Sequence, residues 1–511
     1  MRLDPFLSME GGSIKERDSM ENNDKIAEIR HDHRQLPDIL YAIFKIIFSL
    51  ISLKFFCTSA VGREETTGYW INRAEGLMHN DSIDEAISAC GMAPKKEPWN
   101  DSIIVRKAMY LNIIGMVNES AKTYEKALTL LDEKLKKNAI DVEAWQWKAM
   151  VLGSLNREDE SDQAYEKALE IFDQRIKNDS RDADSWIGRA DVLLNLGRWD
   201  EARESYNRAT ELKPLDYSVW WRKAEVISGI GYINESVEAY DKAISLIPAY
   251  DAAERALAYA AKAEDLAFAE RWEEALEAVD KSLELNPKSS VWWHFKASTL
   301  MELGRNDEAL AAFDEALRQS PEDAHSWLRK ADLLVDMKCH NESIKAYDRT
   351  LELIAESNTK ELAGIWLVKG TALNRIDRRK EAKEAFQMSL ELHAKAILED
   401  PGDLSLQRMK GLTLYNLGRY EESLEVYDQV LEASPRIEPY VIDVSALEGK
   451  GDALRALNRN QEALEAYNEA IALAPSSSAA WHGKGEAERA LGQAGNAGMS
   501  LLMADKLGYE K

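Results

Sequence analysis

Small, aromatic and polar positions recur along residues 67–511 with a period of 34. The stretch WIGRADVLLNLGRWDEA, residues 186–202, returns in altered form eleven more times. Within each unit the small or apolar residues fall at positions 4, 8 and 11 and again at 20, 24 and 27. These spacings are helical, so each unit is predicted to be two short amphipathic helices joined by a turn.

Three columns of residues carry this pattern. Position 4 is usually tryptophan: Trp70, Ile104, Trp145, Trp186, Trp220, Tyr259, Trp293, Trp327, Trp366, Gln407, Leu447, Trp481. Position 8 is always small: Ala74, Ala108, Ala149, Ala190, Ala224, Ala263, Ala297, Ala331, Gly370, Gly411, Gly451, Gly485. Position 24 is mostly aromatic: Tyr124, Tyr165, Tyr206, Tyr240, Phe313, Tyr347, Phe386, Tyr427, Tyr467. Small residues at positions 8 and 20 let the two backbones approach, and both aromatic columns are expected to fill the core.

Turn and capping residues indicate where the helices end. Gly197 follows the first helix of its unit and is typical of a helix C-terminus. An acid or asparagine at position 18, as at Asn118, Asp200, Asn234 and Asp307, is expected to open the second helix as an N-cap or first-turn residue.

The spacing between successive fourth positions departs from 34 six times. It is 41 after Ile104, Trp145 and Trp366, 39 after Trp220 and Trp327, and 40 after Gln407. Seven extra residues are close to two turns at about 3.6 residues per turn, so the apolar stripe keeps its face. Longer second helices, rather than loops, are predicted there.

This pattern resembles the tetratricopeptide repeat, a 34-residue helix-turn-helix with small residues, aromatics and a closing proline at fixed positions. The resemblance covers residues 67–511, about twelve repeats. It implies an all-α, right-handed superhelical solenoid whose concave groove binds an extended peptide or helix of a partner protein. Positions 2, 5, 9 and 12 line that groove in the family.

Position 7 departs from the family, because it is always basic, as at Arg189 and Lys330, where the family has leucine. On a helical wheel it lies opposite the groove stripe, so these side chains are expected to point away from the groove. Position 19 is almost always glutamate and is placed to pair with them. Both columns are expected to be structural.

Acids and large apolar residues occupy the predicted groove. The acids stand at position 9: Glu75, Asp191, Glu225, Glu264, Asp332, Asp452, Glu486. The bulky residues are Trp221, Phe268 and Tyr415. Such a surface suits a peptide with Lys or Arg beside apolar residues. The alternative is that these acids are solvated side chains that only add to the overall negative charge.

The first 66 residues differ from the repeats. Residues 1–38 are polar, mixed in charge and predicted to be disordered. Residues 39–60 form the most apolar stretch, although Lys45 lies inside it. This stretch is interpreted as a membrane anchor or a signal peptide, with a soluble helix that covers the end of the array as the alternative. The chain is therefore expected to be membrane-anchored or exported, and otherwise cytoplasmic.

No residue pattern indicates catalysis. The eight histidines and three cysteines show no metal-ligand spacing, and no phosphate-binding glycine loop occurs, so no cofactor, metal or catalytic residue is assigned. The formal net charge of −25 disfavours nucleic acid. A protein-interaction scaffold is the favoured function. A soluble assembly adaptor, an RNA-binding repeat protein and the regulatory part of an enzyme complex are the alternatives.

Overall fold

The structure, a computed structural model, describes residues 101–113, 116–355, 358–433 and 444–509. In these ranges all regular structure is helical, and the 22 helices divide between two compact units, Met1–Leu212 and Lys213–Lys511. Described helices of the first unit are α1 Asp101–Ile113, α2 Val117–Lys137, α3 Val142–Ser154, α4 Glu158–Asn178, α5 Ala183–Asn195 and α6 Trp199–Leu212.

The second unit contains sixteen described helices, which again alternate as first and second helices of a repeat. They are α7 Tyr217–Gly229, α8 Ile233–Leu246, α9 Ala252–Phe268, α10 Trp272–Leu285, α11 Ser290–Glu302, α12 Asn306–Gln319, α13 Ala324–Asp336, α14 His340–Leu353, α15 Thr359–Arg375, α16 Arg379–Glu399, α17 Leu404–Asn416, α18 Tyr420–Ala433, α19 Val444–Ala456, α20 Asn460–Leu473, α21 Ser478–Ala490 and α22 Ala494–Lys506. Inside each unit every helix packs on its neighbours in the chain. The predicted all-α fold of stacked helix-turn-helix repeats is confirmed.

The two helices of a repeat meet at their small residues. Ala190 at position 8 is fully buried, and so is Ala202 at position 20. In three of the five described repeats with serine at position 20, its hydroxyl donates to the carbonyl of position 8, as from Ser161 to Ala149 (2.7 Å). The aromatic column at position 24 fills the space beside this contact, and Phe313 is 0% exposed. The predicted close approach and the position-24 core are confirmed.

The tryptophan column at position 4 lies at the edge of the core, and Trp220, Trp293 and Trp327 pack against buried core clusters. Trp186 and Trp327 are only partly buried. In six described repeats the indole N–H donates to the carbonyl six residues earlier, in the inter-repeat loop: from Trp145, Trp186, Trp220, Trp293, Trp327 and Trp481, at 2.9–3.1 Å. Gln407 makes the same bond with its side-chain amide. The expected core role holds in part: the rings pack against the core, stay partly exposed, and fasten the first helix to the loop before it.

Extra residues lengthen helices, but in two different places. After the 41-residue spacings the second helices α2, α4 and α16 have 21 residues instead of 14, as predicted. After the 39-residue spacings the second helices α8 and α14 keep 14 residues, and the next first helices, α9 and α15, grow to 17. In those two repeats the added turn extends the N-terminal end of the first helix.

Of the two roles expected for position 18, the first-turn role is confirmed, since Asp200, for example, lies inside the first turn of the second helix and not at its N-cap. Side-chain caps occur at the first helices, where the residue before position 1 accepts a backbone N–H, as Asp182 does from Ser185 (3.1 Å). Gly197, with φ +69°, ends the first helix of its repeat as predicted, because this left-handed conformation favours glycine.

The basic column at position 7 lies away from positions 2, 5, 9 and 12 and is structural, as expected. Its main partner is an aspartate on the second helix of the preceding repeat, as in Lys296–Asp280 (2.7 Å). The glutamate at position 19 usually pairs instead with an arginine three residues earlier, as in Arg305–Glu308 (2.6 Å). Lys223 reaches a position-19 glutamate, Glu235, in the repeat that has tyrosine in place of that arginine.

Several expectations lie outside the described residues: the segments 1–38 and 39–60, the first repeat and Glu75. Among the residues that are described, no helix is both long and apolar enough to cross a membrane.

The two aromatic columns should respond differently to truncation. Phe313→Ala should lower the free energy of unfolding by about 3–5 kcal/mol, because it empties a closed site. Trp327→Ala should cost about 1–2 kcal/mol, because its ring is partly exposed and one net hydrogen bond is lost. Urea denaturation and amide hydrogen exchange of α12 and α13 measure both losses. Equal losses would place the tryptophans in the core after all.

Candidate functional site

The predicted groove residues lie on one face of the first helices. Nine of the ten are described, and of these Asp191 lies in the first unit and the other eight in the second. From α15 to α21 the first helices of neighbouring repeats contact each other directly, as α15 does with α17 and α17 with α19, and form a continuous surface that carries position 9. On α7, α9 and α11 the same repeat positions lie on the corresponding face of each helix.

The three described aspartates at position 9 are held by tyrosines. The hydroxyl of the tyrosine at position 24 in the same repeat donates to the carboxylate: Tyr206 to Asp191, Tyr347 to Asp332 (2.7 Å) and Tyr467 to Asp452 (2.6 Å). Burial raises the pKa of Asp332, and the bond from Tyr347 opposes that shift. These carboxylates therefore tie the first helix to the second, a structural role that the sequence interpretation missed.

The glutamates at position 9 are held differently. Glu225 accepts the indole N–H of Trp221 (2.5 Å), and Glu486 pairs with Arg489 (2.8 Å). In the repeats of Glu264 and Glu486 position 24 is aliphatic, so no tyrosine hydroxyl is available there. Of the six described acids predicted for the groove, Glu264 is exposed and the other five are half-buried.

Glu264 combines exposure with an altered acidity. Loss of hydration among the surrounding side chains, followed by the charge of Asp265, raises its pKa to about 7. Asp265 itself is buried and accepts the hydroxyls of Ser228 and Ser236 from the preceding repeat. The charge on this part of the face therefore changes near neutral pH.

Large apolar side chains are exposed on the repeat of Glu264 and on the repeat that follows it. Phe268, which was predicted for the groove, is 60% exposed. Leu257 and Val291, both at position 2, are 40% and 66% exposed and were missed, although position 2 belongs to the groove stripe. Trp221, by contrast, is buried and packs edge-on against Tyr240.

The aromatic and basic residues near α17 to α21 form a different environment. Tyr415 is half-buried beside Tyr420, with ring centres 5.4 Å apart. Arg455 lies beside Asp452 (3.6 Å). Tyr509 stacks on His482 with ring centres 4.0 Å apart. Leu412, at position 9 of α17, is also 39% exposed, but among the described acids predicted for the groove the exposed one, Glu264, lies on α9 beside exposed apolar side chains.

The described residues show no metal-binding group on this face. Within the described ranges, no group of three or more His, Cys, Asp or Glu residues is arranged to hold a metal ion. What the arrangement offers is an extended surface that presents carboxylates beside apolar side chains.

Comparisons with known protein families identify the repeat. Family models described as tetratricopeptide repeat match residues 141–214 and 403–476, residues 296–358 and 367–436, and residues 217–250, together more than half of the 511 residues. A sequence comparison with curated proteins found no match.

Solved structures with a similar fold include three named proteins. YrrB, described as a TPR protein with an unusual peptide-binding site, is 22% identical over 41% of this chain and 98% of its own, with a TM-score of 0.29. Yeast Tom70 is 14% identical over 87% and 92%, with a TM-score of 0.34. A chain of the APC/C hetero-tetramer Cut9-Hcn1 is 15% identical over 91% and 96%, with a TM-score of 0.35.

The raised pKa of Glu264 gives a pH dependence with a definite sign. The folded state holds the proton up to about pH 7, whereas the unfolded chain releases it near 4.5. The contribution of Glu264 therefore favours folding at low pH and is lost as the pH rises from 4.5 through 7. The amide hydrogen-exchange rate of α9 should rise with pH across this range. The rise should exceed the increase in the intrinsic chemical exchange rate.

Glu264→Gln is the control, since its side chain carries no proton to release. The variant should show a flatter pH profile for α9 and an unchanged profile for α13. The assignment is wrong if wild type and variant follow the same curve in α9.

Proposed function

The chain belongs to the tetratricopeptide repeat family, a protein-interaction scaffold, and we propose that its first-helix face binds an extended peptide that carries Lys or Arg beside apolar residues. The observation that carries this proposal is the combination on α7, α9 and α11. There the carboxylates of Glu225 and Glu264 share a face with the exposed side chains of Leu257, Phe268 and Val291.

Electrostatics support a basic rather than an acidic peptide. The whole chain carries a formal net charge of −25, which attracts cationic partners and repels nucleic acid. Glu264 is the most accessible of the described acids predicted for the groove, and Lys or Arg beside it favours its ionised form. Apolar side chains of the peptide would cover Leu257 and Val291 and thereby contribute affinity that salt does not screen.

The aspartates contribute less to this binding than the sequence alone implies. Asp191 already accepts a tyrosine hydroxyl, so its removal disturbs the repeat as well as the surface. The glutamates are therefore the better test. A Gln at position 225 keeps an oxygen for the indole N–H of Trp221, so the double change Glu225→Gln/Glu264→Gln removes charge with little effect on packing.

Peptides selected from a random displayed library on the full chain should be enriched in Lys or Arg beside Leu, Ile or Phe. Their binding, measured by fluorescence anisotropy, should weaken roughly ten-fold for the Glu225→Gln/Glu264→Gln variant, as expected for about 1.4 kcal/mol. Binding should also weaken as salt rises from 0.01 M to 0.15 M, since the screening length falls from ~30 Å to ~8 Å.

The matched control is Glu273→Gln/Glu284→Gln, which makes the same change in net charge at exposed positions of α10, a second helix. It should bind the selected peptides like wild type. Equal weakening by both double variants would mean that only the overall charge matters, and unaltered binding by the groove variant would overturn the proposed site.

We further propose that residues 39–60 direct the chain to a membrane or to export. The support is the sequence alone, since nothing else in the chain is as apolar over a comparable length.

A fusion of residues 1–66 to a soluble reporter should be found in the membrane fraction or outside the cytoplasm. Ile47→Asp together with Leu50→Asp should return the reporter to the cytoplasm, because two charges abolish the apolar stretch. A reporter that remains cytoplasmic with the native segment would contradict the proposal. The peptide-binding proposal is tested separately.

A further inference from the structure

The last described helix, α22, carries apolar side chains on a face that is polar in the other second helices. Met499, Leu502 and Met503 occupy positions 22, 25 and 26 and are 64%, 53% and 36% exposed. Positions 22 and 26 are charged or amide in the other ten described repeats except at Ala311 and Met388. Position 25 is polar in all ten: Glu125, Glu166, Asn207, Asp241, Asp280, Asp314, Asp348, Gln387, Asp428, Asn468.

The side of α22 on which a further repeat would stack is polar instead. Position 28 is apolar in nine of those ten repeats, as at the buried Leu283, but in α22 it is the exposed Asp505. Position 25 also supplies the aspartate that pairs with the position-7 cation of the next repeat, as Asp280 does with Lys296, and Leu502 cannot form that pair. The apolar face of α22 is therefore suited to an occupant other than another repeat of the same kind.

Two glycines on the same face indicate the shape of this occupant. Gly495 and Gly498 lie inside α22, where glycine destabilises a helix relative to alanine. Both are exposed, and among the described residues a β-carbon added to either would meet no packed neighbour within 4 Å. Packing inside this chain therefore does not require glycine at either position, whereas the close approach of an external helix would.

The large and small residues of α22 match each other when two copies of the helix run antiparallel. With a two-fold axis between Gly498 and Met499, the sequence places Met499 opposite the second copy's Gly498. The same register places Leu502 opposite the second copy's Gly495 and Met503 opposite its Ala494. Each large side chain then meets a small one. The face is therefore complementary to itself, as a two-fold interface must be.

Charge also favours a second copy as the occupant. α22 contains one acid and one base, Asp505 and Lys506, whereas α18 contains five acids and no base. Two chains of net charge −25 repel each other, and an uncharged helix is where they can meet without adding to that repulsion. A basic partner would gain no electrostatic attraction from this helix.

We propose that two copies of this chain associate through α22, packed antiparallel about a two-fold axis between Gly498 and Met499. A single helix pair buries less than the roughly 800 Å² per partner of a standard interface, so the dimer is weak. The contact uses the outer face of a second helix and does not depend on the peptide-binding face proposed above.

The first test measures association of the full chain by sedimentation velocity. Between about 1 μM and about 200 μM the mean mass should rise from that of the monomer toward twice that value, as for a micromolar dissociation constant. Amide hydrogen exchange at the two concentrations locates the contact, because α22 should exchange more slowly at the higher one and α20 should not change. A monomer throughout, or slowed exchange only outside α22, would overturn the proposal.

The second test places acids on the face. Met499→Glu/Leu502→Asp should weaken the dimer at least ten-fold, because the acids would lose hydration against an apolar surface. The matched control, Met388→Glu/Leu398→Asp, makes the same changes at exposed positions of α16 and should associate like wild type. All four side chains are exposed, so both variants are expected to fold. Equal weakening by the two variants, or unaltered association by the first, would exclude α22 as the interface.

The third test concerns the register. Leucine favours a helix and has open space at position 498 in the single chain, so Gly498→Leu should melt at the wild-type temperature or higher. It should associate at least ten-fold more weakly, because the leucine overlaps the second copy's Met499. Gly498→Leu/Met499→Ala should restore association. Stronger association of the single variant, as non-specific apolar contact predicts, or no restoration by the double variant would contradict the proposed pairing.

Phosphatidylcholine vesicles distinguish a second copy from a lipid surface. Any binding of the full chain to these vesicles should be the same for wild type and for Met499→Glu/Leu502→Asp. Vesicle binding that the double change removes would assign the α22 face to lipid and overturn the dimer.

Discussion

The close approach of the two helices in each repeat is the contact on which the rest of the structure depends. Small residues at positions 8 and 20 allow it, and the aromatic residue at position 24 packs directly beside it. A β-carbon added to Gly370 would lie 2.6 Å from the ring of Phe386, closer than side-chain atoms pack. Since every later repeat stacks on this pair, an error at position 8 would spread to its neighbours.

Ion pairs recur along the outer surface of the array, but they contribute little to its stability. Arginine at position 16 and glutamate at position 19 form exposed pairs within one helical turn, as in Arg459–Glu462. Such pairs each contribute about 0–1 kcal/mol, so burial of the aromatic core remains the dominant stabilising term. The position-7 cation links neighbouring repeats, because it contacts the tryptophan of its own repeat and an aspartate of the preceding repeat, as Lys296 does.

One position of the repeat serves two purposes. At position 9 the shorter acid accepts a tyrosine hydroxyl from the second helix, as Asp332 does from Tyr347, and stabilises the repeat. Glu264 faces an aliphatic residue at position 24 in its repeat and keeps its carboxylate exposed. A column of acids in the sequence is therefore not one binding surface, because some of its carboxylates are held by the second helix and others are not.

The sequence by itself determined the all-α fold, the two helices of each repeat, the buried column at position 24 and the long helices α2, α4 and α16. These features follow from the spacing of small and apolar residues, which is a local property of one helix pair. It also identified the face that carries Phe268 and Glu264.

Only the tertiary structure decided which side chains on that face are already engaged. Whether Asp191 is open or bonded depends on Tyr206, fifteen residues later on another helix, and no helical period encodes that contact. The same holds for the tryptophans, whose partial burial and loop hydrogen bonds depend on the path of the chain between repeats.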